Sequence, residues 1–300
     1  MTAIQLLTAL FNAGIAISVG ATVLSLGMSF TIGQLVAPLH RVVLVIVMVA
    51  LNAVVIPAAA WGIAVVSPMD DKYVAGLVLA SIGAGSAAAL KAAQLAGRVD
   101  LPLAVSVVVV LQLVNIVAVP LWAGQVVTGA SISAWDIVQS LLALVLLPLA
   151  VGLFIRARYA EHAGAWRAEL VRVANLALVI ALATGIAANW STIKSMFGSW
   201  VVVTAIVIVV LAVVLGGLVG VRNAEIRTTT GLVSGFRFAS LGLIIIGTQL
   251  GGNPDYLGPA ITFALVDFVL PFALAVEIGR RTKARTPNVQ RSDPTTDHLN

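Results

Sequence analysis

The sequence predicts an all-α polytopic membrane protein of nine transmembrane helices. Three observations carry that prediction: an extreme apolar composition, apolar blocks of bilayer length, and a one-sided distribution of loop charge. Of 300 residues, 60% are hydrophobic and 10% are charged, whereas about a quarter of a soluble domain is charged. A water-soluble fold of this length needs more polar surface than the chain carries. The apolar residues come in blocks of about twenty, the length that crosses about 30 Å of hydrocarbon.

The blocks fall at 6–30, 42–66, 73–96, 101–123, 134–156, 168–188, 199–220, 228–250 and 257–279. The first has no basic segment before it and no small-residue cleavage site after it, so it reads as a retained span. Turn formers punctuate the connectors: Pro38, Ser67 through Asp71, Gly97-Arg98, Gly129, and Gly251 through Pro254. Residues 1–283 read as one transmembrane domain and 284–300 as a disordered cytoplasmic tail. With the N-terminus outside, the inner loops hold Arg41, Arg98, Arg156, Arg158, Arg167, Arg172, Arg222 and Arg227. The tail adds Arg280, Arg281, Lys283 and Arg285, while the outer loops keep only Lys72 and Lys194. The positive-inside rule then demands an odd number of spans in the cell membrane, with the C-terminus cytoplasmic.

The third and eighth spans differ from the others. Gly76, Gly83 and Gly85 precede the small-residue run Ser86 through Ala89, and Gly231, Gly235 and Gly242 accompany Ser234 and Ser240. Each glycine inside a helix costs about 1 kcal/mol against alanine. Such clusters suit either a helix break or close helix packing. Position favours breaks, because each span precedes a proline-marked one (Pro102 and Pro120; Pro259 and Pro271). The two units also start in opposite orientations. That is the inverted-repeat pattern of secondary transporters, in which interrupted helices meet at a midplane site. Crossed breaks are expected near 83–90 and 232–238.

The same segments resemble the bile acid:sodium symporter family over most of residues 20–275. Leu24-Ser25-Leu26-Gly27-Met28-Ser29-Phe30-Thr31 resembles the family's exit from an early span, and Gly76 through Ser86 the lead into its first broken helix. Leu103-Ala104-Val105-Ser106 through Pro120-Leu121 follows its next span, and Ser234 through Leu241 stands where the second broken helix lies. The resemblance implies a core of spans two to four and seven to nine, and a panel of spans one, five and six rocking against it. It also implies two sodium sites, and there the sequence departs. Where the family has a Ser-Asn pair, the chain has Ala89-Leu90. Where it has a Ser and a Thr one turn apart, it has Ala104 and Val108, and for a Glu and a Gln it has Val233 and Arg237. A further family Gln, five residues before a proline, is Asn52 ahead of Pro57. With those oxygens gone, family-type sodium coupling is not expected, and no other metal or cofactor is implied.

Three charges fall inside spans: Lys91, Arg237 and Asp267. Each costs about 2.5–3.5 kcal/mol at a bilayer centre on insertion scales, so such residues face a cavity or a partner. Either they pair as structural glue, or they contact a substrate or an exchangeable proton. The surplus positive charge favours a small organic anion as substrate. Asp267 is expected within pairing reach of a cation. Asn52, Gln112, Asn115, Ser86 and Ser240 are the accompanying candidates for substrate contact, each with interhelical or intrahelical hydrogen bonding as its alternative role. Ser106 and Ser234 stand level with Ser86 and Ser240, and Asn12 and Gln34, in or near the panel span, are weaker candidates of the same kind. Trp61, Trp122, Trp135, Trp190 and Trp200 lie near span ends and read as interfacial anchors.

Other functions fit less well. The net charge of +5 is not laid out on an aromatic-studded face, so nucleic acid is not a partner. No cysteine is present, which excludes thiol chemistry. His40, His162 and His298 lie in loops or the tail, which leaves no serine–histidine pair in the bilayer, and Asp267 is the only acid well inside a span, which leaves no two-aspartate chemistry. A ligand sensor on a transporter fold remains the alternative to a proton-coupled or uniport carrier.

Overall fold

The computed structural model describes residues 3–29, 31, 33, 41–127, 134–196 and 198–284. Gln34, Pro38, Gly129 and residues 285–300 of the expected tail lie outside them, while Ala284 is still helical. Every element among the described residues is helical. The order is α1 (Ala3–Ser29), α2 (Val42–Val66), α3 (Asp71–Ile82), α4 (Ala88–Ala96), α5 (Leu101–Val126) and α6 (Trp135–Arg158). There follow α7 (Ala160–Ala188), α8 (Trp190–Met196), α9 (Val201–Val219), α10 (Ala224–Gly235), α11 (Ala239–Gln249) and α12 (Pro254–Ala284).

Eight of the described segments are long and apolar enough to cross a bilayer, the α10–α11 segment counting as one. The span expected at 73–96 is not among them. It is divided into helices of 12 and 9 residues by non-helical Gly83–Ala87, and neither piece alone spans 30 Å. The chain is an integral, multi-pass membrane protein. Large apolar side chains such as Val43, Val66, Val117, Leu121, Val179 and Val269 stand more than half exposed. In water they would form an aggregation-prone belt; a bilayer is the solvent that covers them.

Local sequence explains the helix ends. Asp100 caps α5 by accepting from the Leu103 amide at 3.1 Å, with Pro102 in the first turn where its missing N–H costs nothing. Asn223 caps α10 through the Glu225 and Ile226 amides. The largest boundary difference is α7, which begins eight residues before the expected 168. Its basic first turns are rich in Ala, Glu and Arg, good helix formers, and Glu169 pairs with Arg172 at 2.6 Å.

Two groups of helices are each knit by small residues, and they touch where Asn12 of α1 meets Gly247 of α11 and Gly185 of α7 meets Ile261 of α12. In one, α1 lies against α6 and α7: Gly27 meets Gly152, and Gly14 meets Ala177 and Ala181, too closely for any Cβ at either glycine. In the other, Gly76 of α3 abuts Tyr256 of α12, and Gly242 of α11 abuts Leu79 and Ala80. Small residues let backbones approach where lipid supplies no hydrophobic drive for association. The glycine clusters therefore serve packing and breaking together.

Proline shapes two helices through the donor it lacks. Ahead of Pro57, residues Leu51–Val55 form a π-helical turn in which the Ile56 amide bonds to Leu51 and leaves the Asn52 carbonyl free. Pro57 likewise frees the Ala53 carbonyl, and Trp122 Nε1 donates to it at 2.7 Å. Trp122, read from sequence as an interfacial anchor, thus also joins α5 to α2, with its ring edge-to-face on Trp61. A second π turn, Leu142–Leu146, precedes Pro148 in α6.

Candidate functional site

Non-helical backbone at membrane depth is tolerated only where its polar groups are met by protein or cavity water. The first break, Gly83–Ala87, is met by amide side chains from α5. Asn115 donates Nδ2 to the Ala84 carbonyl at 2.8 Å and accepts the Ala84 amide on Oδ1 at 3.1 Å. Gln112 Nε2 donates to the Gly85 carbonyl at 2.8 Å, while its Oε1 is buried with no partner. Gly85 sits at φ 76°, a backbone region natural to glycine. Helix resumes at Ala88, so the break is shorter than the expected 83–90.

The second break is only Phe236–Phe238, with 232–235 still helical. It touches the first directly. The Phe238 amide donates to the Gly83 carbonyl at 3.0 Å. A Cβ on Gly83 would stand 2.7 Å from the Phe238 oxygen, so the contact requires glycine there. Between these residues lies Arg237, 1% exposed and the largest fully buried side chain. Its Nε donates to the Ser81 carbonyl at 2.7 Å, and one terminal nitrogen donates to the Ile82 carbonyl at 3.0 Å and the Asn52 carbonyl at 2.9 Å. The other terminal nitrogen donates to Asn52 Oδ1 at 2.9 Å. The guanidinium thereby caps the last carbonyls of α3, the negative end of its dipole, and takes the carbonyl freed by the π turn.

Asp267 meets Arg237 differently from the expected ion pair. Its Oδ1 accepts the Arg237 backbone amide at 2.8 Å, while the guanidinium points to Asn52 and α3. The carboxylate satisfies the break's backbone. The physical reason is that neutral oxygens already fill four of the five guanidinium donors.

Beside this junction lies a cavity of about 360 Å³ between the α1–α7 pair and the breaks. Lys91, Arg237, Asp267, Ser86 and Ser240 all line it. Lys91 is exposed into it, one turn beyond the start of α4, and has no hydrogen bond or ion pair among the described residues. Ser86 Oγ accepts the Ala88 amide at 3.3 Å at the head of α4. Asn52, Gln112 and Asn115 do not line the cavity; they are bound to backbone and to Arg237 behind it. Asn52 also donates Nδ2 to Met48 O at 2.9 Å and Ser234 Oγ at 3.0 Å.

Several cavity residues escaped the sequence reading: Ser18, Thr22, Ser25 and Ser29 on α1, Gln94 on α4, and Arg167 and Asn175 on α7. A signal existed for the hydroxyls, whose spacing of four, three and four marks one helical face. Arg167 was read as an inner-loop charge because α7 was expected to begin after it.

At the positions where the resemblance implies sodium ligands, Ala89, Ala104 and Val108 are fully buried and Val233 is 1% exposed, all packed in the apolar core. Leu90 is half-buried against the same core. None offers a side-chain oxygen, so the donor set does not fit a sodium site of that kind. Among the described residues no three His, Asp or Glu side chains cluster as a metal site needs.

A comparison with family models matches residues 16–223 to the sodium bile acid symporter family. The chain belongs to that family. The matched region runs from α1 to the residue before α10, and so ends ahead of the segment bearing Arg237 and Asp267. No curated protein matches the chain. Membership makes it a member of a transporter family, in keeping with its apolar helices.

Proposed function

We propose that the protein is a secondary transporter of a small organic anion, working by alternating access without sodium coupling. The α3–α4 pair is read as a ninth crossing, its two half-helices and extended break together long enough for one passage. Loop charge then puts the N-terminus outside and the C-terminus in the cytoplasm of the cell. The two interrupted segments run in opposite senses and form an inverted repeat. On this reading α1, α6 and α7 rock against the remaining helices, and the cavity between the groups holds the substrate.

The observation that carries the proposal is the charge on that cavity. Among the described residues, Lys91, Arg167 and Arg237 line it against the single acid Asp267. A wall with this balance attracts anions and repels cations. Coupling follows from Arg237. Its guanidinium is a tethered cation enclosed by four oxygens, and a fixed charge draws nothing from a sodium gradient. Asp267 is the group through which protons would couple; without exchange there, the protein is a uniporter.

The test is counterflow. Proteoliposomes preloaded with unlabelled aromatic carboxylate should accumulate the labelled compound transiently and saturably. Saturable binding with no uptake would contradict transport and leave a ligand sensor on a transporter fold.

A further inference from the structure

Two cavity cations have no partner among the described residues, and they stand on different groups of helices. Lys91 belongs to α4, beside the breaks. Arg167 belongs to α7, which runs antiparallel to α1, with Phe11 against Gly185 and Gly14 against Ala177 and Ala181. That register brings Arg167 level with Ser25 and Ser29 near the end of α1. The neighbouring acids are taken: Glu169 pairs with Arg172 and Glu277 with Arg281, each at 2.6 Å. Asp267, the one acid on the cavity wall among the described residues, is engaged by the Arg237 amide. Part of the cavity wall is aromatic. Phe236 and Phe272 pack edge-on at 4.9 Å, and Phe268 lies 4.8 Å from Phe272.

We propose that Lys91 and Arg167 form a two-walled clamp for the head of an amphipathic organic anion, whose ring-bearing body lies against Phe236 and Phe272. The proposal rests on the organic-anion reading above and deepens it. Two like charges facing one cavity repel in a low-dielectric setting, and an anion between them turns that repulsion into attraction from both sides. Arg167 offers a planar fork that matches a carboxylate or sulfonate, and Lys91 a point charge. One head held by both residues ties the α1–α6–α7 group to the breaks. Occupancy is thereby linked to closure of the cavity, a link that neither cation provides alone.

The full-length protein in neutral detergent, titrated calorimetrically with 1-naphthoate and with neutral 1-naphthamide, tests this. Naphthoate should bind, and the amide should bind at least about tenfold more weakly, because one charge-assisted contact is worth about that factor or more. Lys91→Ala and Arg167→Ala should each weaken naphthoate by about tenfold, and the double variant little further, since contacts sharing one head are not additive. Lys91→Arg should restore binding. Both residues are exposed, and unchanged thermal unfolding of the variants confirms that folding is not the cause. Additive losses, or unchanged affinity in either single variant, would overturn the clamp while leaving an anion carrier intact. Equal binding of naphthamide would instead overturn the organic-anion reading itself. Displacement of naphthoate by phosphatidylglycerol in mixed micelles, lost in Arg167→Ala, would assign the site to a lipid headgroup and overturn a soluble substrate.

Discussion

The two helix breaks meet at one hydrogen bond, yet they solve the same problem in opposite ways. The first, Gly83–Ala87, is solvated by neutral amides from α5, and Asn115 pairs with Ala84 as a strand would. The second, Phe236–Phe238, carries its own charge. Its amide leans on Asp267, and its side chain reaches out to α2 and the end of α3. A neutral arrangement costs little desolvation and binds one neighbour. A charged one costs more, but the guanidinium joins three elements that no neutral side chain of its length could join. Both solutions place their hydrogen bonds on the side away from the cavity, toward α2, α3 and α5.

The largest break in this comparison is Arg237→Met, which keeps the bulk and removes four hydrogen bonds. It frees the carbonyls of Ser81, Ile82 and Asn52 and removes the positive charge beside Asp267, whose hydrogen bond from the backbone amide at position 237 remains. We expect a loss of about 3–5 kcal/mol, read from equilibrium unfolding in bicelles. Adding Asp267→Asn, which keeps an acceptor for the Arg237 amide but no charge, should recover part of that loss. Further loss in the double variant would show that the carboxylate is not held by charge.

Asn115→Leu comes next. It orphans both polar groups of Ala84, and about 2 kcal/mol is expected in the same unfolding assay. Gln112→Leu should be the mildest, within about 1 kcal/mol, because it removes an unpartnered Oε1 along with one hydrogen bond. If Gln112→Leu proved worse than Asn115→Leu, the orphan oxygen would have a partner of its own, and the neutral break would be more tightly built than described.

Much of this architecture was legible in sequence because hydropathy blocks and proline positions are local properties. The π turn before Pro57 and the helix around it follow from a missing donor. Lys91, Arg237 and Asp267 stood out in the sequence as charges inside spans, costly wherever they point, and all three line the cavity. The sequence did not reveal direction. Asn52, Gln112 and Asn115 are as polar as Ser86 and Ser240, but rotation of α2 and α5 turns them to the backbone behind the cavity. The extent of each break depended on partners far along the chain, Asn115 for one and Asp267 for the other. Arg167 was missed because a basic stretch between apolar blocks looks like a loop until its helix propensity is weighed against its charge.

The central claim is that the tethered guanidinium of Arg237 stands in place of a mobile ion. Initial uptake of labelled 1-naphthoate into proteoliposomes, with the membrane potential clamped and sodium replaced by potassium, tests it most directly. Equal rates in the two salts are the predicted result. A saturable rise with sodium would contradict the claim, because the buried positions Ala89, Ala104, Val108 and Val233 provide no side-chain oxygen to hold the ion.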